Sequence, residues 1–293
     1  MKFSNNELRP EKLCDIIGQD IVKEKLKICI DSAKTRHEPL PHQLLFGGRG
    51  LGKSTFVYAI ANEMGCEIQV ANGANVSSVK SMLPYLMRIT QGSILFIDEI
   101  HALRKQTSES LLHVLEDGKF CLGSEDEMII DIPPFTMIGA TTNPGILSTP
   151  FLDRFPIKYK LKNYSTGELT QILDKSAQKL NVDMSKANLD SIAQISKNNP
   201  RLANNYLTFV RDYHKAKGNI NMPDIFRLLD VDSKGLTAND RLYLATLKKL
   251  GIAGVNTISA STNIDRETVE NVIEPYLLEN GFIKKTAKGR ELI

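Results

Sequence analysis

Gly47-Gly48-Arg49-Gly50-Leu51-Gly52-Lys53-Ser54 is the stretch that decides the fold. Gln43 to Phe46, just before it, reads as a short buried strand, and Thr55 to Glu63, just after it, reads as a helix. The spacing is G-x-x-x-x-G-K-[ST] between strand and helix, the context in which backbone N–H groups curl around phosphates. The helix N-terminus adds its partial positive charge. In such a loop Lys53 pairs with the β- and γ-phosphate oxygens of ATP and Ser54 holds Mg²⁺. Gly47, Gly50, Gly52 and Thr55 complete the cradle. Arg49 either touches phosphate or faces solvent.

Further along, Ile94-Leu95-Phe96-Ile97 reads as a second buried strand and Phe135 to Ala140 as a third. Apolar runs of this length between helical segments indicate a parallel sheet covered on both faces. Asp98-Glu99 closes the second strand, where ligands sit in open α/β sheets. Asp98 is expected to support Mg²⁺ through water, and Glu99 to orient and deprotonate the attacking water. His101 is assigned no role.

The segment 163–233 reads as all-helical. Ser165-x-x-Glu168 is a capping box, Ile192 and Ile195 form an apolar stripe, and Pro200 suits the first turn of a further helix. Leu202, Tyr206, Phe209 and Tyr213 follow at helical spacing and are expected in its core. In the segment 234–293, Thr237-x-x-Asp240 caps a helix carrying Leu242, Leu244, Leu247 and Leu250, which Gly251 stops. A short helix over Asn256 to Ser261 and a longer one from Arg266 to about Glu279, capped by Asp265, come next. Phe282 to Ile293 reads as a hairpin with a glycine at its tip. Three helices and a basic hairpin make a winged-helix pattern. The expected organisation is an α/β ATPase domain at 1–162, a helical domain at 163–233 and a winged helix at 234–293.

Composition sets outer bounds. At 293 residues the chain exceeds one ordinary core. A net charge of +3 does not by itself announce a nucleic-acid binder. The hairpin does so locally, with Lys284, Lys285, Lys288 and Arg290 against Glu291, a pattern suited to phosphate backbone. No aromatic residue is interleaved there, which favours duplex over single strand. Cys14, Cys29, Cys66 and Cys121 lack C-x-x-C spacing, which argues against zinc. Met1 to Pro10 is polar without a signal core, and no apolar run reaches membrane-spanning length, so a cytoplasmic protein is expected.

The order and spacing of many short segments resemble the RuvB family of Holliday-junction branch-migration AAA+ ATPases. These include Leu8-Arg9-Pro10, Ile17-Gly18-Gln19, Leu95 to His101, Pro133-Pro134-Phe135-Thr136, Asp153-Arg154-Phe155, Pro200 to Asn204 and Glu274-Pro275-Tyr276-Leu277. The resemblance implies an ATP-hydrolysing motor that rings duplex DNA, a hexamer being expected, and drives four-way junctions in recombination and repair. It implies roles as follows: Leu8 and Arg9 at the adenine side, Thr142 as sensor one near the γ-phosphate, Glu116 and Asp117 around nucleotide, and Tyr164 lining the pocket. Arg154 is implied as an arginine finger reaching a neighbouring subunit's nucleotide, Arg201 as sensor two, and Lys285 and Arg290 as DNA contacts.

Several positions depart from the family. Gly48-Arg49 stands where two prolines are usual; Leu152, Pro156 and Asn143 replace Arg, Gly and Arg; Lys285 replaces an arginine. Lys119 to Ile130 is several residues shorter than the family hairpin that docks RuvA, and carries Ser124-Glu125-Asp126-Glu127 at its centre. The resemblance implies a RuvA-like junction-binding partner, but the shortened hairpin argues against its docking, and another partner or none is the alternative. The competing reading is a clamp-loader-like or replication-associated AAA+ switch, which Thr141-Thr142-Asn143-Pro144 also resembles. The winged-helix pattern argues against it.

Overall fold

The computed structural model describes residues 8–122 and 128–293. The Ser124-Glu125-Asp126-Glu127 tract and the first seven residues lie outside them. The chain divides into two compact units, 1–168 and 169–293.

Unit 1 is a five-stranded, all-parallel sheet in the order β2-β3-β6-β1-β7. Its elements in chain order are α1 (Asp20–Arg36), β1 (Gln43–Phe46), α2 (Lys53–Met64), β2 (Ile68–Asn72), α3 (Val79–Leu86), β3 (Ile94–Asp98), α4 (Lys105–Asp117), β4 (Lys119–Leu122), β5 (Met128–Asp131), β6 (Thr136–Thr141), α5 (Thr149–Asp153) and β7 (Ile157–Lys160). β4 and β5 pair separately as an antiparallel hairpin.

The three strands expected from apolar runs are β1, β3 and β6. β6 is buried at every position and β3 at all but the last, as a two-faced parallel sheet requires. β2 and β7 flank them as edge strands. Gln69 in β2, and Lys158 and Lys160 in β7, break the apolar run that marks a buried strand. Between sheet and helices lies a core that includes Phe96, Phe56, Ile60, Leu26 and Ile138, each essentially without solvent contact.

Unit 2 begins within α6 (Thr166–Leu180) and continues through α7 (Lys186–Ile195), α8 (Pro200–Lys217) and α9 (Met222–Leu228). The stripe expected on α8 is offset from the observed core face. Ala203, Tyr206, Leu207 and Val210 are buried, while Leu202, Phe209 and Tyr213 are only half-buried. Tyr213 instead sends its hydroxyl to Asp224 of α9 at 2.9 Å.

α10 (Ala238–Leu250) opens on the expected capping box, with Thr237 and Asp240 satisfying each other's backbone. Its core face holds Tyr243 and Leu247. Leu242 and Leu250 are exposed, lying off the face that Tyr243 and Leu247 turn inward. α11 (Val255–Thr262) follows. The next helix runs from α12 (Arg266–Thr268) through a π-helical turn, Val269–Ile273, into α13 (Glu274–Glu279). β8 (Ile283–Thr286) and β9 (Gly289–Leu292) form the closing antiparallel hairpin. Ile258, Val269, Ile273, Leu277 and Ile283 lock this three-helix-and-hairpin module around one core. Lys197 and the buried Asp240 form an ion pair that ties the helical segment to it.

Candidate active site

β1 ends at Phe46, and the next eight residues wrap into the start of α2. Gly52 sits left-handed at φ 96 as the cap of α2, a conformation that L side chains rarely adopt. A side chain at Gly47 would meet the Leu161 carbonyl oxygen at 2.7 Å, so the loop can pass only as glycine. Lys53 is almost fully buried, and its ammonium donates to the carbonyls of Gly47 and Gly48 at 2.9 and 3.0 Å. Its charge is therefore held across the mouth of the loop. Thr55 lies in the first turn of α2, half-buried.

The sheet order brings the end of β3 to the same edge. Asp98 Oδ2 lies 3.5 Å from Ser54 Oγ. Two oxygen donors meeting at a helix N-terminus suit a hard cation such as Mg²⁺. Glu99 follows in a left-handed conformation, φ 49 and ψ 48, uncommon for a residue with a side chain. That twist turns its carboxylate toward β6, where Thr142 Oγ1 donates to Oε2 at 3.5 Å. His101 Nδ1 lies 3.3 Å from the same oxygen and 2.9 Å from Thr141 Oγ1. Lys53, Ser54, Asp98, Glu99 and Thr142 thus gather at one edge, with His101 beside them. Nothing in its spacing marked His101; only the Glu99 turn brings it in.

Gly73 is a second residue that motif reading passed over. Its N–H donates to the Asp98 carbonyl at 2.8 Å, and a Cβ there would collide with the Glu99 carbonyl oxygen. The strand end that carries both acids leans against a glycine.

On the other side of the loop, Tyr164 is buried and donates its hydroxyl to the Leu51 carbonyl at 3.3 Å. Burial pushes its phenol up to about 12, so it remains a donor at neutral pH. Arg9 stacks over the Tyr58 ring, 4.2 Å from its centroid. Leu8 is half-buried beside Arg9 in the chain.

Arg154, Glu116 and Asp117 form a separate group. Arg154 caps α5 and ion-pairs with Glu116 near the end of α4; Asp117 is exposed. Arg154 Nε is buried without a hydrogen-bond partner. Among the described residues no hydrogen bond or ion pair links this group to the phosphate loop. Arg201 is exposed in the first turn of α8, within unit 2.

The hairpin cations differ in their surroundings. Lys284 pairs with Glu291 at 2.5 Å, Lys285 with Glu274 at 2.8 Å, and Arg290 with Glu274 and Glu270. Lys288 is exposed at the tip and, among the described residues, has no ion-pair partner.

A phosphate loop feeding α2, with an acidic strand end two strands away across β6, is a nucleotide-hydrolysing architecture. Joined to a helical segment and a winged helix, it puts the chain in the AAA+ class of P-loop ATPases. Three family descriptions match in succession: the Holliday junction DNA helicase RuvB P-loop domain over residues 8–161, the RuvB AAA lid domain over 164–225 and the RuvB C-terminal winged helix domain over 233–293. The chain belongs to the RuvB family. It is 40% identical to the Holliday junction branch migration complex subunit RuvB of Rhodopirellula baltica, over 97% of this chain and 81% of that protein. Among solved structures it is similar to the Thermotoga maritima RuvB Holliday junction branch migration motor, at 37% identity and TM-score 0.88, covering 98% of this chain and 96% of that one. A point mutant of RuvB crystallised separately superposes at TM-score 0.89 with 37% identity, covering 98% and 95% of the two chains. The family carries nucleotide binding with it.

Proposed function

We propose that this chain is the ATP-driven subunit of a ring that moves duplex DNA through four-way junctions during recombination and repair. The observation that carries the reading is the convergence of Lys53, Ser54, Asp98, Glu99 and Thr142 on one sheet edge, in a chain that also holds a winged helix with a basic hairpin. The three segments 1–162, 163–233 and 234–293 act as motor, lid and DNA-binding module. The protein works in the cytoplasm, on the nucleoid.

The chemistry follows from the residues. Gly47, Gly50, Gly52 and the first turn of α2, including Thr55, present backbone N–H groups to the phosphates, and Lys53 adds its charge. Ser54 and Asp98 are the residues that would hold Mg²⁺, which neutralises phosphate charge when bound. Glu99 accepts a proton from the attacking water, and Thr142 orients its carboxylate. Leu8, Arg9 and Tyr164 bound the base, with Tyr164 fixing the loop through Leu51. Arg154, released from Glu116, reaches the γ-phosphate of the neighbouring subunit and stabilises its developing charge. Glu116 and Asp117 line that same boundary. Arg201 reads the nucleotide state from the lid. Lys284, Lys285, Lys288 and Arg290 mark the hairpin as the edge that meets DNA.

The test is a synthetic four-way junction with purified protein and ATP, alone and with a RuvA-like junction-binding protein. ATP-dependent strand movement is expected. Its absence under both conditions, in protein that hydrolyses ATP, would overturn the motor reading. Turnover stimulated by primed DNA and a sliding clamp, with junctions inert, would install the clamp-loader alternative.

A further inference from the structure

Glu99 Oε2 is held from two directions, and both lead to the end of β6. Thr142 Oγ1 donates to it at 3.5 Å, and His101 Nδ1 lies 3.3 Å away. The same Nδ1 is 2.9 Å from Thr141 Oγ1. Thr141 is fully buried, and its Oγ1 also accepts the Asn143 N–H at 3.0 Å. The half-buried His101 ring therefore bridges Glu99 to a fixed point on the strand end. Its backbone is pinned as well. The Ala102 N–H donates to the Glu99 carbonyl at 2.8 Å, closing the Ile100–Ala102 turn that carries the ring back beside the carboxylate. The ring also lines a cleft walled by Leu103, Leu112, Leu147 and Phe151, which limits where it can swing.

The chemistry of these contacts says where the imidazole proton sits. A bare Nδ1 would set its lone pair against a carboxylate oxygen. A hydroxyl oxygen has two lone pairs, and Thr141 Oγ1 gives one to Asn143. An Nδ1–H placed between the two oxygens satisfies both Thr141 and Glu99. Thr142 is differently placed, because its hydroxyl has a single proton to donate. Read as the residue beside the γ-phosphate, it turns that proton to phosphate when nucleotide binds, and Glu99 Oε2 loses the contact. His101 faces no such competition, since its Nδ1 is committed to Thr141 and Glu99. Of the two holds on Oε2, the one through His101 survives nucleotide binding.

We propose that His101 is a positioning residue: it keeps the Glu99 carboxylate aimed once Thr142 has turned to phosphate, and it takes its bearing from the buried Thr141. The hold is on Oε2, which leaves Oε1 to the attacking water. This rests on the reading of Glu99 as general base and of Thr142 as a phosphate contact. It departs from the simpler view in which Thr142 alone orients the carboxylate.

The experiment uses the full chain with duplex DNA and Mg²⁺-ATP, and measures kcat and KM for ATP, equilibrium nucleotide binding and Tm. His101→Ala empties the position, His101→Leu fills it without a donor, and His101→Asn returns an amide N–H close to where Nδ1 lay. The alanine and leucine variants are expected to lower kcat by about 10²-fold, the order that a misplaced reacting group costs. KM for ATP, nucleotide binding and Tm are expected to stay unchanged. Should the alanine variant fail to fold, the leucine variant carries the comparison. The asparagine variant is expected to recover most of the loss. In Glu99→Gln protein, adding His101→Leu is expected to cost nothing more in single-turnover phosphate release, because groups that act through one another are not additive. Three results would overturn the proposal and spare the base: kcat unmoved by His101→Leu while Glu99→Gln abolishes turnover, an asparagine variant as slow as the leucine one, or a double-variant loss equal to the product of the two single losses. Undiminished turnover in Glu99→Gln would remove the base, and this role of His101 with it.

Discussion

Glu99 is the residue proposed above as the general base of this site. Its left-handed backbone is held by the Ala102 N–H on its carbonyl at 2.8 Å and by Asp98 Oδ1 on its own N–H at 3.0 Å. A general base contributes about 10²- to 10⁴-fold. Glu99→Gln, which keeps shape and hydrogen bonding, is expected to bind ATP normally and lose turnover by that order, as read by equilibrium nucleotide binding beside phosphate release. Undiminished turnover would remove Glu99 from the mechanism. A second residue adds a pH-dependent contribution to stability in acid. His42 accepts the Met137 N–H at 2.9 Å and is pushed by burial from 6.5 down to about 4. Between those values the unfolded chain binds more protons than the folded one, so stability falls as pH drops from about 6.5 to about 4 and levels off below. His42→Asn, retaining an acceptor, is expected to flatten the Tm profile over that window; an unchanged profile would show that other groups set it.

At the scale of elements, the site is built from strand ends that touch at glycines. Gly73 closes the end of β2 against the carbonyl of Glu99, and Gly139 in β6 would, as alanine, press on Ile100 at 2.9 Å and Leu44 at 3.1 Å. Overpacking of this kind costs about 1–3 kcal/mol. Gly73→Ala, whose collision is with backbone, is expected to displace the Glu99 turn and lower turnover, while Gly65→Ala, with open space around its Cβ, strains only the cap of α2. Phosphate release and Tm together separate the two: loss of turnover beyond the loss of stability is expected at Gly73 alone. The capping boxes are simpler devices. Ser165 with Glu168 and Thr237 with Asp240 close as their spacing indicates. The second has a burden that spacing does not reveal, because the buried Asp240 also neutralises Lys197.

Over the whole molecule, the phosphate loop and the winged helix fall in different units, 1–168 and 169–293. Within a single chain, Arg154 is engaged by Glu116 and not by the phosphate loop. If its target belongs to a neighbour, turnover per subunit must rise with protein concentration as rings form. Arg154→Ala is expected to bind ATP, assemble, and lose the concentration-dependent part of turnover, by about 10³- to 10⁵-fold at saturation for a trans arginine. Sedimentation in parallel with phosphate release checks this; turnover that is equally fast in monomer and ring, wild type and variant, would end the finger assignment.

From the sequence by itself came the phosphate loop, the three buried strands, the acidic strand end, both capping boxes and the basic hairpin. Each is encoded within a few consecutive residues, by glycine spacing, an uninterrupted apolar run or a side chain answering its own backbone. Tertiary structure alone decided the rest. The edge strands β2 and β7 owe their pairing to β3 and β1, the inward face of α8 is chosen by its neighbours, and His101 and Gly73 join the site because strand ends far apart in the chain share one edge. The buried Glu274 shows the reason most plainly: a carboxylate on a helix is unremarkable in sequence, and becomes the anchor of the hairpin only once folding strips its water and leaves Tyr243, Lys285 and Arg290 to replace it.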